Sequence, residues 1–447
     1  MASYADQVRL HLAKGPKSAR QLIEKIGISQ PTLSRAVLSM GDQIVRLGAA
    51  RSIQYALRDR QRGLDDIPIY RVDVAGMIKH LGVLIPVRAD GYIMQKADGV
   101  SLHSHGIPWW LYDMRPQGYL GRAYALKHAN ILGLPANLSN WNDAHMLHAL
   151  SKHGHDAVGN LLLGEIARDT FLNAPAPEPI SMATKGEAYA RLAGESSNGD
   201  RPGSSAGGEQ AKFSAFVETP NGSRHVLVKF TIPDQNPLTE RWRDLLLAEH
   251  HALETLSEAG VQAAPSRIID HAGQRFLEVE RFDRIGDIGR RGVFSLTAIE
   301  AEFVGEASAP WSVITARLAR DAHITQESAH GAALLNAFGL LIGNTDMHNG
   351  NLTLFSDEGR PYGLAPAYDM LPMGYAPKSS GGLSNSLQPV NLHPSINNAV
   401  WIRAQRLAAN FLARVQGDAH FSAGFQVCIN DLADHIRGTH SKISRLG

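Results

Sequence analysis

The 447 residues are 44% hydrophobic, enough for two or three domains with sizeable cores, and wholesale disorder is excluded. No run of about 18 apolar residues occurs, and residues 1–20 lack a charged end followed by an apolar stretch, so a membrane span and an export signal are not expected and a cytoplasmic location is. A net charge of +1 hides an uneven distribution: residues 1–60 carry +6 and the remainder −5, and the single cysteine, Cys428, excludes an internal disulfide and a cysteine-rich zinc site.

At the N-terminus Tyr4, Val8 and Leu12 recur at helical spacing. Ser18 suits the N-cap of a second helix with Leu22, Ile23 and Ile26 inward, and Gly27 ends it. Ser29 then caps a third helix running to Met40, with Pro31 in its first turn and Leu33, Val37 and Met40 inward. Two alternating stretches, 43–47 and 52–57, flank a Gly48-Ala-Ala-Arg51 tip and read as a hairpin. This layout resembles a winged helix-turn-helix over residues 1–60, with Gln30, Thr32, Ser34 and Arg35 facing base edges of DNA and Lys17, Arg46 and Arg51 facing phosphates. A protein-docking role for the same small fold is the alternative.

Twenty histidines include several local pairs, which mostly lack carboxylate or thiolate neighbours at ligand spacing; surface or core positions are the default for them. The body holds neither a Walker A pattern nor a dinucleotide-binding G-x-G-x-x-G after a strand. Four separated elements instead suit a two-lobed kinase, with ATP and Mg²⁺ as cofactors. Residues 194–208 form a glycine- and serine-rich run that can cradle phosphate with its backbone, Gly207 and Gly208 included, before a strand over 211–217. A strand over 225–230 presents Lys229, and Glu249 follows twenty positions later within an apolar helical stripe of Trp242, Leu246, Leu253 and Leu256. A carboxylate on such a stripe needs a partner, and Lys229 supplies one; a solvated glutamate at the stripe's edge is the alternative. The stretch 277–284 reads as a strand leaving the first lobe, its backbone open to adenine and Asp283 directed to the ribose. The fourth element is Gly343-Asn-Thr-Asp346-Met-His348-Asn-Gly-Asn351, followed by a hairpin and Ala367-Tyr-Asp369. Asp346 and Asn351 keep the D-x-x-x-x-N spacing of a kinase catalytic loop. Asp346 is therefore the expected base, Asn351 and Asp369 the Mg²⁺ ligands, and His348 a brace of the loop at the nucleotide site.

With these residues in view the chain resembles the HipA family of bacterial serine/threonine kinase toxins from about residue 70 onward. The further pieces that carry the likeness are Asp113-Met-Arg-Pro-Gln-Gly-Tyr-Leu-Gly-Arg122, Ser205-Ala-Gly-Gly-Glu-Gln-Ala-Lys212, Gly260 and Glu280-Arg-Phe-Asp-Arg284. Within the family it looks like the YjjJ- or HipH-like subgroup with a fused N-terminal winged helix. The resemblance implies an α+β, two-lobed protein-kinase-like fold after the winged helix: a HipA-like N-terminal subdomain over 64–180, a kinase N-lobe over 181–284 and a helical C-lobe over 285–447. It implies ATP phosphates on Lys229, adenine at the backbone of Glu280 and Phe282, and autophosphorylation at Ser204 or Ser205 that expels the glycine-rich loop. A protein substrate, DNA and a HipB-like antitoxin are the implied partners. The long polar stretch before Ser205, and Val293-Phe-Ser-Leu-Thr-Ala-Ile-Glu-Ala-Glu302 in place of the family's acidic-glutamine motif, leave the substrate open. Two further readings remain: a DNA-binding regulator with an inactive kinase-like body, and a small-molecule phosphotransferase, whose histidine two before the aspartate is here Asn344.

Overall fold

Three serines punctuate the first sixty residues of the computed structural model, which describes residues 3–48, 53–196, 210–357 and 359–445. Ser3, Ser18 and Ser29 each accept a hydrogen bond from a backbone N–H in the first turn of the helices Tyr4–Leu12, Ala19–Ile26 and Gln30–Ser39. Such caps satisfy otherwise orphaned donors and stabilise a helix by about 1 kcal/mol. Gly27 ends the second helix in the left-handed region, at φ 71°. Val8, Leu12, Leu22, Leu33, Val37 and Met40 form one core with Tyr55 and Leu57. Tyr4, expected on the buried stripe, is instead 52% exposed, because it opens its helix beyond the reach of that core.

The expected hairpin is present as the antiparallel strands Ile44–Leu47 and Gln54–Leu57, with Arg46 opposite Tyr55. A two-residue strand, Lys17–Ser18, joins it as a third member through Lys17 opposite Tyr55. The other face of this sheet is apolar: Val45, Leu47 and Ala56 pack on Ile85, Val87 and Ile93. Those three residues belong to a five-stranded antiparallel sheet with the order Ser101–His105, Gly91–Lys96, Ile78–Val87, Ile67–Val72, Leu161–Leu163. Its second face carries Leu84, Tyr92 and Met94 against Leu111 and against Met146, Leu147 and Leu150 of the helix Asp143–His153. Between the two sheets Asp59 is buried, with Arg62 at 3.1 Å and Arg88 at 3.3 Å. Residues 1–116 and 127–175 thus make one unit.

The second unit comprises residues 117–126 and 176–447. Its four-stranded antiparallel sheet has the order Ser266–His271, Gln274–Glu280, Gly222–Phe230, Lys212–Thr219. The helix Pro237–Glu258 packs on one face of this sheet through Leu246, against Leu277 and Val279. On the other face the helix Lys185–Ser196 brings Tyr189 and Ala193 onto Phe213, Val228, Phe230 and Phe276. After the sheet the chain becomes mainly helical: Leu296–Phe303, Trp311–Arg320, Gln326–Leu341, Asn398–Gly417 and Gln426–Ile443. The expected hairpin after the catalytic loop forms with Leu354 opposite Leu364, and Val293–Ser295 adds a third strand. Trp242, expected to be buried, is only half-buried. Around it Arg241 and Asp244 take the buried positions, each with a dense set of polar partners. No helix among the described residues is long and apolar enough to cross a membrane.

Candidate functional site

Strand alternation sends Lys229 from one face of the sheet toward the helix Pro237–Glu258, whose apolar stripe carries Glu249. The Lys229 Nζ lies 2.7 and 2.6 Å from the two Glu249 carboxylate oxygens and 2.5 Å from Asp369 Oδ1. Glu249 has no exposure and Lys229 is 4% exposed. Burial works to lower the Lys229 pKa, yet Asp369 and Glu249 outweigh it and hold the ammonium charged above its ordinary range. For Asp369 burial pushes upward, and Lys229 outweighs it, so the carboxyl stays ionised below its usual range. Burial lifts Glu249 against the opposing pull of Lys229.

The catalytic-loop segment is wired by its own side chains. Asn344 Oδ1 accepts the Asp346 N–H at 3.0 Å while Asn344 Nδ2 donates to the Asp369 carbonyl at 3.2 Å. One amide therefore joins the loop of the expected base to the expected metal ligand. Asn351 Nδ2 donates to the Asp346 carbonyl at 2.9 Å, which leaves Asn351 Oδ1 as the acceptor end of that side chain. His348 caps the following turn, its Nδ1 accepting the Gly350 N–H at 3.0 Å. The Tyr368 hydroxyl donates to the Gly350 carbonyl at 2.8 Å, and Asp369 next to it has φ 53°, a left-handed conformation rarely adopted by a non-glycine residue. Asp346 is exposed at the loop, where partial desolvation raises its pKa against the opposing effect of His348.

At the end of the strand Gln274–Glu280 the Glu280 N–H is taken by the Pro265 carbonyl at 2.9 Å. Phe282 packs its ring on Phe355 and Tyr368, at 5.9 and 5.7 Å between centroids. Asp283 departs from expectation. It is 4% exposed, and its carboxylate is held by Arg281 at 2.9 Å and Arg284 at 2.7 Å, so it braces the chain turn and is not directed to a ribose. Ser204, Ser205, Gly207 and Gly208 lie outside the described residues, as does Arg51.

The donor set suits a hard divalent cation, since Asp369 offers carboxylate oxygen and Asn351 an amide oxygen. Sequence reasoning passed over Asn344 except as a missing histidine; its position two before Asp346 was the available signal. A buried group on the opposite face of the sheet was missed as well: Glu278, 3% exposed, takes Lys185 Nζ at 2.6 Å and the Tyr189 hydroxyl. It ties the helix that leads into the glycine-rich run to the strand ending at Glu280.

In the first unit Gln30 and Arg35 are exposed and Thr32 and Ser34 half-exposed on the helix Gln30–Ser39. Arg46 is exposed on the hairpin, and Lys17 is half-buried on the short strand.

Three comparisons bear on these two sets of residues. Residues 63–172 match the family described as YjjJ-like toxin, middle domain, and residues 204–435 match the HipA-like C-terminal domain. Toxin YjjJ of Escherichia coli strain K12 is 37% identical over 438 residues, which is 98% of each chain. A chain from the Shewanella oneidensis MR-1 toxin antitoxin system HipA, HipB and its operator DNA complex superposes with a TM-score of 0.58 at 15% identity, covering 85% of this chain and 99% of its own. That likeness identifies the mixed helix and strand arrangement as the kinase-like HipA fold.

Proposed function

Because this chain belongs to the HipA-like family of toxins, in its YjjJ-like branch, we propose that it acts in a toxin–antitoxin system as an ATP- and Mg²⁺-dependent serine/threonine protein kinase carrying its own DNA-binding winged helix-turn-helix. The observation that carries the kinase reading is the buried Lys229 clamped between Glu249 and Asp369, with Asn344 linking Asp369 to the Asp346 loop.

In this reading Lys229 binds the ATP phosphates, and Glu249 fixes the rotamer that lets it do so. The backbone of Glu280 and Phe282 faces adenine. Asp346 takes the proton from a serine or threonine hydroxyl of the protein substrate as the hydroxyl oxygen bonds to the γ-phosphorus. The bond from that phosphorus to the β,γ-bridging oxygen breaks, and ADP leaves with the electron pair. Asp369 and Asn351 would hold a Mg²⁺ ion, which would supply charge neutralisation on the phosphate oxygens. Autophosphorylation at Ser204 or Ser205 would add about two negative charges beside the nucleotide phosphates and so expel the loop and switch the enzyme off.

The N-terminal reading rests on the exposed Gln30, Arg35 and Arg46 and on the excess of positive charge in residues 1–60. A HipB-like antitoxin is the proposed protein partner, by analogy with the Shewanella complex. The test is incubation of the purified protein with γ-labelled ATP and Mg²⁺, alone and with cell extract, followed by mapping of the labelled residue. Label on serine or threonine supports the kinase. Absence of both label and nucleotide binding would remove it and leave the winged helix as the functional part.

A further inference from the structure

Asp244, His251 and Glu258 stand seven residues apart on the helix Pro237–Glu258, two turns per step, and so form one stripe. Glu249, two positions from His251, projects from roughly the opposite side. Every member of the stripe is engaged by one short stretch of chain, residues 414–422. Asp244, 2% exposed, accepts the Ser422 N–H at 2.9 Å and the Ser422 hydroxyl at 2.6 Å. His251 Nε2 meets Asp418 Oδ2 at 2.7 Å, and Glu258 pairs with Arg414. Asp418 is itself held in place, because its Oδ1 accepts the His420 N–H at 2.8 Å and lies 2.7 Å from His420 Nδ1. At the start of the same helix the buried Arg241 donates to the carbonyls of Tyr375 at 2.9 Å and Ser384 at 2.8 Å and to Asn385 Oδ1 at 2.8 Å.

An apolar stripe alone would hold a 22-residue helix against the sheet. Burying Arg241 and Asp244 costs free energy that their partners must offset, and what the arrangement adds is a fixed rotation. A slip of one residue turns the helix by about 100° and carries Glu249 away from Lys229. The same slip separates Asp244 from Ser422 and His251 from Asp418.

We infer that residues 414–422 form a bolt on the outer side of this helix, and that Asp244 and Asp418 are positioning residues for phosphoryl transfer, acting through Glu249 on Lys229. The inference rests on the kinase reading only for its effect on transfer; its structural half concerns the Lys229–Glu249 pair itself. Glu249 is thereby held against Lys229 by the end of the helix Asn398–Gly417 and the segment that follows it.

The experiment compares the full-length wild type, the Asp418→Ala/Ser422→Ala double variant, Ser422→Ala, Ser422→Thr and Asp244→Asn. For each, thermal melting, kcat and KM for ATP, and modification of Lys229 by an amine-reactive reagent, read by mass spectrometry, are measured. In the folded double variant we expect several-fold faster modification of Lys229, a fall in kcat of at least about tenfold and a rise in KM for ATP. Ser422→Thr, which keeps the hydroxyl, should return to wild-type labelling where Ser422→Ala does not. Should the double variant misfold, Asp244→Asn gives the same labelling readout in a milder form. Wild-type Lys229 labelling in the folded variants would overturn the inference, as would a Ser422→Thr variant no better than Ser422→Ala. Faster labelling without turnover in any protein, wild type included, would uphold the bolt and sink the kinase instead.

Discussion

Removing the Lys229 ammonium would leave the fully buried Glu249 carboxylate facing Asp369 with no cation between them. Breaking a buried pair on one side costs about 3–5 kcal/mol, whereas replacing both partners by apolar groups is often close to neutral. Lys229→Met should therefore destabilise the second unit by that amount in chemical denaturation. Lys229→Met/Glu249→Leu should recover much of the loss in stability while remaining inactive. A second consequence concerns pH. Asp346 must be ionised to accept a proton, and desolvation raises its pKa. The transfer rate should thus climb as pH rises through a value above the ordinary carboxylate figure of about 3.9, and Asp346→Asn should remove that limb along with most of the rate. The Lys229–Glu249 pairing was legible in the sequence because a carboxylate on an apolar helical stripe demands a partner, whereas the roles expected of Asp346 and Asn351 rest on spacing alone. Asp283 was misread, since only the fold reveals that Arg281 and Arg284 close on it. Glu278 with Lys185 could not be paired from sequence at all, being 93 positions apart on elements with no shared pattern.

Element boundaries follow the same division. Ser18, Gly27 and Ser29 mark helix ends by local chemistry, and the structure places caps there. The strand Lys17–Ser18 escaped notice because two residues carry no period, and it exists only through its pairing with Gln54 and Tyr55. Trp242 was assigned to the buried stripe by period alone, whereas the polar partners of Arg241 and Asp244 decide which side of that turn is covered. The turn that bolts the long helix makes its own prediction. Burial works to raise the Asp418 pKa, but the His420 N–H, the His420 ring and His251 outweigh it and hold the group at about 2. A carboxylate depressed in the folded state contributes stability that is complete above its unfolded pKa of about 3.9 and is lost as pH falls through about 2. Asp418→Asn should lose this contribution at neutral pH. Its denaturation midpoint should fall less steeply than that of the wild type between about pH 4 and pH 2.

At the scale of the whole chain the charge asymmetry visible in composition sets the first sixty residues, at +6, against the remainder, at −5. The first unit presents Arg35 and Arg46 to solvent, and the second buries Lys229 between Glu249 and Asp369. If the first unit binds DNA, replacing Arg46 by Ala should weaken binding to all sequences and lower the slope of log affinity against log salt by roughly one, whereas replacing Arg35 by Ala should relax the sequence preference. Neither change should alter ATP affinity. The kinase-like arrangement was legible from the order of four motifs, while the five-stranded sheet of the first unit went unread: four of its strands follow one another as neighbours, and its fifth, Leu161–Leu163, joins only across a long stretch of chain, with Arg71 opposite Leu161. Asp346 is proposed to perform chemistry at a site whose nucleotide is held by other residues. The measurement that reaches it most directly is ATP affinity by calorimetry together with γ-phosphate transfer, in wild type, Asp346→Ala and Asp369→Ala, with Mg²⁺ present. With Asp346 in that role, Asp346→Ala should bind ATP as the wild type does and transfer nothing, while Asp369→Ala should lose transfer and Mg²⁺-dependent affinity together. Transfer surviving in Asp346→Ala at the wild-type rate would contradict it.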